Sequence, residues 1–331
     1  MSTQIGQSRQ LGSTGPKVAA VALGCMAMSG MYGACDDRES IATIHEALDS
    51  GITLLDTGDF YGMGHNEMLI GRALSDRRHH ALISVKFGAQ RSPDGAWVGY
   101  DTRPAAVKTW LAYSLKRLGV DHIDIYRPAR LDPKVPIEDT IGAIKEMIDA
   151  GYVRYIGLSE VGPGTIRRAA AVHPIADLQI EYALISRGPE RAIFPVLKEL
   201  GIAVTAYGIL SRGLLSNSKP QAQGDIRNRL PRFTGENAQQ NQRLVAALND
   251  LAAQKHVTTV QLAIAWVLAK GDFIVPLIGA RTRKQLQESL GALRIQLSPS
   301  DLAQMEEAVP AEAVAGTRYD EHQMKMLDSE K

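Results

Sequence analysis

Residues 39–56 read ESIATIHEALDSGITLLD, a segment with helical spacing that ends in glycine and is followed directly by a short β-branched and aliphatic run. Apolar residues at helical spacing before a terminal glycine predict a helix, and the run after it predicts a strand. The same pairing recurs along the chain. Further helical spacing occurs at 104–119, 137–151 and 283–293, and eight candidate strands lie at 18–23, 52–56, 81–86, 122–126, 153–159, 176–180, 202–207 and 273–278.

Strands that alternate with helices predict right-handed βαβ units and a parallel sheet. Eight such units suit a closed barrel, and the 331 residues of the chain are a length that one such barrel fills. A doubly wound sheet is the alternative, but no candidate strand is followed by the G-x-G-x-x-G turn of a Rossmann fold. The sequence therefore predicts an α/β fold, a (β/α)8 TIM barrel, as a single domain over residues 1–331.

Two segments do not fit the repeat. A polar stretch at 216–242 follows the seventh candidate strand and exceeds a normal connection, so we expect it to be either a functional lid or a disordered segment. The tail at 310–331 has no clear helix or strand period. A second lid and a solvated terminus are both compatible with that pattern.

Composition excludes several classes of function. The 37 Lys and Arg residues nearly balance the 36 Asp and Glu residues, so no strong field favours a nucleic acid or an anionic membrane. Cys25 and Cys35 are too few for a disulfide framework, and no Cys/His cluster has zinc-ligand spacing. Neither a signal peptide nor a membrane-length apolar run is found. We expect a cytoplasmic protein without a metal, and the sequence carries no signal for an oligomeric state.

Three titratable residues are expected at the carboxyl ends of neighbouring strands, where barrel enzymes carry their active sites. Asp56 ends the second strand, Tyr61 follows it, and Lys86 ends the third. A phenol can donate its proton to a carbonyl oxygen, and a nearby ammonium group would lower its pKa from about 10. Asp56 would keep Lys86 charged, which opposes a Schiff-base role for Lys86. The alternative is a structural ion pair beside a packing tyrosine.

Three stretches of the chain resemble the aldo-keto reductase family. They read LGSTGPKVAAVALGCMAMS, GITLLDTGDFYGMGHNEMLIGRAL and IVPLIGARTRKQLQESLGAL. The resemblance implies a (β/α)8 barrel with a catalytic tetrad of Asp, Tyr, Lys and His. Asp56, Tyr61 and Lys86 match the first three, but Ala129 stands where the histidine of a D-x-Y-x-x-H pattern belongs.

By the same resemblance, the protein is expected to pass hydride from NADPH to an aldehyde or ketone, itself a small-molecule carbonyl substrate. Loss of one hydrogen-bond donor to the substrate oxygen costs ~10²–10³ in rate in other enzymes. Arg127 and Arg130 are the candidates for a replacement donor. Because Ala129 weakens the expected catalysis, a redox-sensing regulatory subunit with slow or no turnover remains the alternative.

The resemblance further implies that NADPH lies across the top of the barrel. Ser159 and Gln179 would bind its carboxamide, Tyr207 would stack on the nicotinamide ring, and the turn from Leu210 to Gly213 would meet the pyrophosphate. The segment that contains Gly279, Arg281, Gln285, Glu288 and Ser289 would bind the adenosine. Glu160 departs from the family's usual Asn, as does Ser289. The basic turn of Arg281, Arg283 and Lys284 at a helix start favours the 2′-phosphate of NADPH over NADH. Apolar substrate-pocket candidates are Met26, Met28, Tyr32, Trp97 and Tyr100. The cofactor set is Gly24, Met26, Asp56, Ser159, Gln179, Tyr207, Leu210, Ser211, Arg212, Gly213, Arg232, Gly279, Arg281, Gln285, Glu288 and Ser289.

Overall fold

Eight parallel strands close into a barrel in the order of the chain, so the predicted TIM-barrel fold is confirmed. The structure is a computed structural model, and it describes residues 6–216, 218, 220 and 225–331. The barrel strands are β1 (Ala22–Gly24), β2 (Leu54–Gly58), β3 (Leu82–Phe87), β4 (Ile123–Pro128), β5 (Val153–Ser159), β6 (Ile175–Glu181), β7 (Ala203–Tyr207) and β8 (Ile274–Gly279).

Helices surround the barrel and bury their apolar faces against its outer surface. The helices are α1 (Asp37–Asp49), α2 (His65–Ala73), α3 (Pro104–Leu118), α4 (Ile137–Asp149), α5 (Pro163–Val172), α6 (Pro189–Leu200), α7 (Gly235–Gln254), α8 (Thr259–Ala269), α9 (Arg283–Leu290), α10 (Pro299–Ala308) and α11 (Glu321–Met326). In the part of the chain that is described, none of them is long and apolar enough to cross a membrane.

The first candidate strand, 18–23, is divided between two sheets. Lys17–Ala19 pairs antiparallel with Ser8–Gln10 in a hairpin, and only Ala22–Gly24 enters the barrel. Leu11 from the hairpin packs with residues from the starts of barrel strands, such as Leu54 and Ala203. An apolar run does not show where the chain changes direction, so the sequence pattern merged the two strands.

The interior of the barrel changes character along the strands. Its amino-terminal end is apolar, whereas the carboxyl-terminal half carries buried polar side chains. Those side chains are Asp56, Ser84, Lys86, Arg127, Asp177, Gln179 and Thr205. Polar groups this far from water need partners inside the protein, and the contacts among them define the candidate site.

The predicted loop 216–242 is too long at its carboxyl end, because α7 begins at Gly235. The first eight residues of α7 are almost all polar, which hid the helical period. The buried positions Asn241, Val245, Leu248 and Ala252 show that period clearly. Residues 217, 219 and 221–224 of the predicted loop lie outside the described residues.

The tail at 310–331 is folded onto the barrel rather than extended into solvent. It contains α11 and places Asp328 so that its carboxylate accepts a hydrogen bond from the backbone of Gly162, at 2.8 Å. The Ser329 hydroxyl donates to Glu160, which follows β5, at 2.7 Å. The tail therefore covers the carboxyl ends of the strands.

Candidate active site

Asp56 holds a buried cluster of donors at the carboxyl end of β2. One of its oxygens accepts from Lys86 Nζ at 2.6 Å, and the other accepts from Gln179 Nε2 at 2.7 Å and Ser84 Oγ at 3.2 Å. Lys86 Nζ lies 5.0 Å from the centre of the Tyr61 ring. The structure thus brings together the three residues that the sequence selected, and it adds Ser84 and Gln179 to them.

The Tyr61 phenol is not as acidic as the sequence suggested. Burial raises the pKa of Tyr61 well above its ordinary value, and the Asp56 carboxylate raises it further. The Arg130 guanidinium lowers it by a smaller amount. Burial also lowers the pKa of Lys86, with Asp56 opposing that shift and Arg127 and Arg130 adding to it. The Tyr61 phenol is therefore protonated at neutral pH. The phenolate left after proton transfer needs nearby cations to stabilise it.

Ala129 is buried directly after β4. The side chains of the two candidate arginines near it, Arg127 and Arg130, point in different directions. Arg127 points into the barrel, where it is fully buried against Asp177 at 2.8 Å. Arg130 stays at the top, where it donates to the Ala129 carbonyl at 2.7 Å and the Ser159 hydroxyl at 3.4 Å. Of the two, only Arg130 lowers the pKa of Tyr61 among the leading causes.

Glu160 occupies the position where the sequence departs from the usual Asn. Its carboxylate accepts from the Tyr207 hydroxyl at 2.7 Å, from the backbone of Glu181 at 2.9 Å and from Arg318 at 2.8 Å. Burial would raise the pKa of Glu160, but the charge and hydrogen bonds of Arg318 outweigh it and hold the pKa well below its usual range. Glu160 is therefore ionised, and its carboxylate is paired with Arg318 of the tail.

The tail also contributes Tyr319 to the top of the barrel. Its hydroxyl lies 2.9 Å from that of Tyr207 and accepts from Arg130 at 3.3 Å. Arg212 lies over the Tyr319 ring, 4.4 Å from its centre. Tyr207, which the sequence analysis expected under a nicotinamide ring, is therefore in contact with the tail.

The turn after β7 has an unusual backbone. Ser211, Arg212 and Gly213 take φ values of +47°, +55° and +95°, and Leu210 precedes them. The Arg212 guanidinium donates to Glu181 at 3.0 Å and to the Arg318 carbonyl at 3.1 Å. The charge that the sequence assigned to a pyrophosphate is thus neutralised inside the protein.

Arg232, from the same cofactor set, lies beneath the tail at the carboxyl end of β6. Its guanidinium donates to the Ser186 hydroxyl at 2.7 Å and to Glu181 at 3.4 Å. It also donates to the carbonyl of Gly316 at 3.3 Å. Arg232 therefore connects the segment before α7 to the tail.

The remaining predicted cofactor residues lie in two places. Gly24 and Met26 belong to β1 and the turn after it, and the others lie from the end of β8 through α9. Gly24 pairs with Gly279 and with Asp56 in the barrel, and Met26 begins a short turn of 3-10 helix after β1. Gln285 Oε1 accepts from the backbone of Arg281 at 2.9 Å, Glu288 accepts through its carbonyl from Gln261, and Ser289 is buried. These residues line one face of the barrel top.

One cation of the basic turn is already paired. Arg283 forms an ion pair with Glu39 at 2.9 Å, and its backbone donates to the same carboxylate. The backbone amide of Arg283, at the start of α9, is therefore already hydrogen-bonded to Glu39. Within the described chain, the Arg281 guanidinium donates only to the carbonyl oxygens of Tyr32 and Ala34, at 3.2 and 3.4 Å.

Aromatic side chains surround Tyr61 on its open side. Phe60 meets Tyr61 edge to face at 4.8 Å and Trp97 at 5.6 Å. Trp97 is 47% exposed, and it lies on a hairpin that also carries Tyr100. Met28 is fully buried, so it belongs to the core, whereas Met26 and Tyr32 are partly exposed.

Asp59 is a buried carboxyl group two residues before Tyr61. One of its oxygens accepts from the backbone of Gly88 at 3.1 Å, and the other has no partner among the described residues. Burial raises the pKa of Asp59 to about 7, with the backbone amides of Gly88 and Phe60 opposing the shift. An unfolded aspartate titrates near about 3.9. The fold therefore favours the protonated acid.

We expect Asp59 to make stability fall as pH rises. Its contribution is fully present below the unfolded pKa of about 4, and it is lost as pH rises through the folded pKa. Asp59→Asn removes that charge, so the melting temperature of the variant should fall less than the wild-type value between about pH 5 and about pH 8. Thermal unfolding at several pH values measures this difference. Parallel curves for the two proteins would mean that Asp59 does not carry the effect.

Several residues of the site escaped the sequence analysis. Ser84, Arg318, Tyr319 and Ser329 contact the cluster but belong to no motif. The one signal was Glu160, whose charge at a buried position required a cation elsewhere in the chain.

Comparison with known proteins shows the family of the chain. The model of the Aldo/keto reductase family matches residues 20–310. The chain is 40% identical to "Probable aldo-keto reductase 1" of Glycine max, covering 95% of this chain and 92% of that one. It is 37% identical to "Aldo-keto reductase yakc [NADP(+)]" of Schizosaccharomyces pombe, covering 91% and 92%.

Among solved structures, the glycerol dehydrogenase AKR11B4 from Gluconobacter oxydans is similar, with a TM-score of 0.84 and 28% identity. The match covers 96% of this chain and 98% of that one. AKR11C1 from Bacillus halodurans gives a TM-score of 0.78 at 27% identity, covering 96% and 99%. The chain belongs to the aldo/keto reductase family.

Proposed function

We propose that the protein is an NADPH-dependent reductase that transfers hydride to an aldehyde or ketone, with Tyr61 as the general acid. The observation that carries the proposal is the buried contact of 2.6 Å between Lys86 and Asp56, with the Lys86 ammonium 5.0 Å from the centre of the Tyr61 ring. A phenol and two opposite charges in this arrangement can move a proton to a carbonyl oxygen.

NADPH supplies the hydride when it is bound. Tyr61 donates its proton to the carbonyl oxygen, so the substrate gains a hydride at carbon and a proton at oxygen and becomes an alcohol. The Lys86 ammonium stabilises the phenolate left on Tyr61, and Asp56 keeps Lys86 charged and in place. Since burial and the Asp56 carboxylate both raise the pKa of Tyr61, the positive charge of Lys86 is needed for the proton to leave.

Arg130 takes over the task of the absent histidine in this proposal. It follows Ala129 directly, and it makes no ion pair within the described part of the chain. Its charge acts on both Tyr61 and Lys86. A guanidinium group is always protonated and carries five donors, so it can address the carbonyl oxygen beside Tyr61.

The residues present fit NADPH. Ser211 Oγ is buried and lacks a hydrogen-bond partner among the described residues, in the turn expected to meet the pyrophosphate. A Cβ at Gly279 would meet nothing within 4 Å, which leaves room beside Arg281. Ser159, Gln179 and Tyr207 would hold the nicotinamide end. Arg281, Gln285, Glu288 and Ser289 would hold the adenosine end. The yeast relative whose name includes NADP(+) supports the same cofactor.

We further propose that the tail and the segment before α7 are lids over this cofactor, within one domain. The tail contacts Tyr207 through Tyr319 and Glu160 through Arg318. Arg212 and Arg232 join the two segments by donating to tail carbonyls. Because both segments rest on residues predicted to touch NADPH, they should close over it. The two cysteines are free, which supports a cytoplasmic protein.

NADPH should bind at least about tenfold more tightly than NADH, and Arg281→Ala should remove most of the difference. The reason is that, among the described residues, the Arg281 guanidinium donates only to carbonyl oxygens and forms no ion pair, so its charge remains available to a 2′-phosphate. Fluorescence titration with both cofactors measures the two dissociation constants. Arg167→Ala, which alters an exposed ion pair on α5, is the matched control. Equal affinities in the wild type would contradict the prediction.

Oxidation of NADPH in the presence of aldehydes, ketones, quinones and ketosteroids tests the proposal. A reductase consumes NADPH in a carbonyl-dependent manner and loses that activity in Tyr61→Phe. A redox-sensing subunit would bind NADPH and oxidise it slowly with every carbonyl compound. The second outcome would overturn the proposed function in favour of the regulatory alternative.

A further inference from the structure

A second layer of buried charge lies beneath the catalytic residues inside the barrel. Arg127 on β4 and Asp177 on β6 form an ion pair of 2.8 Å, and both side chains are fully buried. Asp177 also accepts from the Thr205 hydroxyl on β7 at 2.5 Å. Arg127 therefore reaches through the barrel interior past β5, to side chains of β6 and β7.

Arg127 is connected to the catalytic cluster through one hydroxyl group. Its Nη2 donates to Ser84 Oγ at 2.9 Å, and Ser84 Oγ lies 3.2 Å from a carboxylate oxygen of Asp56. A serine hydroxyl has a single hydrogen. Because the oxygen accepts from Arg127, that hydrogen is free to point at Asp56, and the guanidinium fixes its direction.

The barrel wall leaves space for this arrangement. A Cβ at Gly157 on β5 would lie 2.8 Å from Arg127 Cζ and 2.8 Å from an Asp177 oxygen. The backbone of Gly157 does not take the left-handed conformation, so the glycine is explained by the close approach of the two side chains. Any larger residue would displace the pair.

Stability does not explain the pair well. Burying two charges costs several kcal/mol per ion, and apolar residues of similar volume are often as stabilising. The pair also leaves Arg127 Nε and one Asp177 oxygen without partners among the described residues. Arg127 is one hydrogen bond from Ser84 and two from Asp56. This position suggests that the pair acts on the catalytic cluster.

We propose that Arg127, held by Asp177, is a positioning residue of the reductase: it orients Ser84 so that Asp56 keeps Lys86 beneath Tyr61. This inference rests on the proposed function. Arg127 does not touch substrate or cofactor, and it acts through Ser84. The charged groups that act most strongly on Lys86 are Asp56, Arg127 and Arg130. Two further titratable groups face it, the phenol of Tyr61 and the thiol of Cys25.

Ser84→Ala tests the connection while leaving the ion pair intact. We expect kcat to fall about tenfold because the catalytic cluster loses its fixed geometry. The KM for the carbonyl substrate and the dissociation constant for NADPH should stay within about twofold. Arg127→Met should lower kcat in the same way. It should also shift the alkaline limb of the pH profile of kcat to higher pH. The reason is that Arg127 lowers the pKa of Lys86 in the wild type, so its removal raises that pKa.

Arg78→Met is the matched control. Arg78 pairs with Asp124 at 2.8 Å, and Asp124 lies on the same strand near its opposite end. The control should lower the melting temperature without changing kcat or the alkaline limb. Ser84→Ala decides the question if Arg127→Met does not fold, because it removes one oxygen atom.

Wild-type kcat in Ser84→Ala, or an unmoved alkaline limb in a folded Arg127→Met, overturns the positioning role. Tyr61→Phe, measured alongside, separates the two proposals. If Tyr61→Phe is inactive while Ser84→Ala is fully active, only the positioning role is wrong. If Tyr61→Phe keeps wild-type activity, the proposed function fails and takes the positioning role with it.

Discussion

Tyr61→Phe is expected to lower kcat by about 10²–10⁴-fold, because general acid catalysis by a positioned side chain contributes that much. The substitution removes one oxygen atom and leaves the ring against Phe60, 4.8 Å away. NADPH affinity should therefore stay within about threefold. Steady-state kinetics and a fluorescence titration on the same preparation measure the two quantities.

Tyr126→Phe is the matched control for this prediction. Tyr126 is a fully buried tyrosine on β4 that stacks on Phe87 and donates to the backbone of Val107, away from the site. Its variant should keep kcat and lose a little stability. If Tyr61→Phe retains more than about a tenth of the wild-type kcat, another group supplies the proton.

Arg130→Met is expected to lower kcat/KM by about 10²-fold, the cost of losing a donor to a developing oxyanion. Arg130 is the cation beside Tyr61 and directly follows Ala129, and its guanidinium reaches Ser159 at 3.4 Å and Tyr319 at 3.3 Å. Because the donor acts on the carbonyl oxygen, the loss should appear mainly in kcat. Rates with one small aldehyde and one bulky ketone measure it.

Arg187→Met provides the control for the loss of a partly buried arginine. Arg187 pairs with Glu306 at 3.2 Å, in contact with α10. Adding Ala129→His to the Arg130→Met variant should restore part of the lost rate, since the imidazole supplies a donor where the guanidinium has been removed. An Arg130→Met enzyme as active as Arg187→Met would show that Arg130 does not replace the histidine.

Local patterns predicted the barrel and the three residues of the catalytic cluster. Each of β2 to β8 coincides with an apolar run, and Asp56 and Lys86 lie at or near the ends of their runs. Parallel strands bring their carboxyl ends together, so the closeness of Asp56, Tyr61 and Lys86 follows from topology. The contact of 2.6 Å between Asp56 and Lys86 agrees with that reasoning.

Contacts between distant parts of the chain could not be predicted in this way. Arg127 and Asp177 are 50 positions apart, and Glu160 and Arg318 are 158 positions apart. The helix and strand periodicities of a sequence carry no information about contacts between residues so far apart. The different directions of Arg127 and Arg130 depend on β4 ending at Pro128, and strand ends are the least reliable part of a sequence interpretation.

Transfer of deuterium from labelled NADPH tests the central claim most directly. NADPH that carries deuterium at the transferable position of its nicotinamide ring is incubated with the protein and a carbonyl compound that it consumes. The account predicts an alcohol that bears deuterium on the former carbonyl carbon, formed by the wild type and at least about a hundredfold more slowly by Tyr61→Phe. An alcohol without deuterium, or NADPH oxidation without any alcohol, would contradict hydride transfer to a carbonyl group.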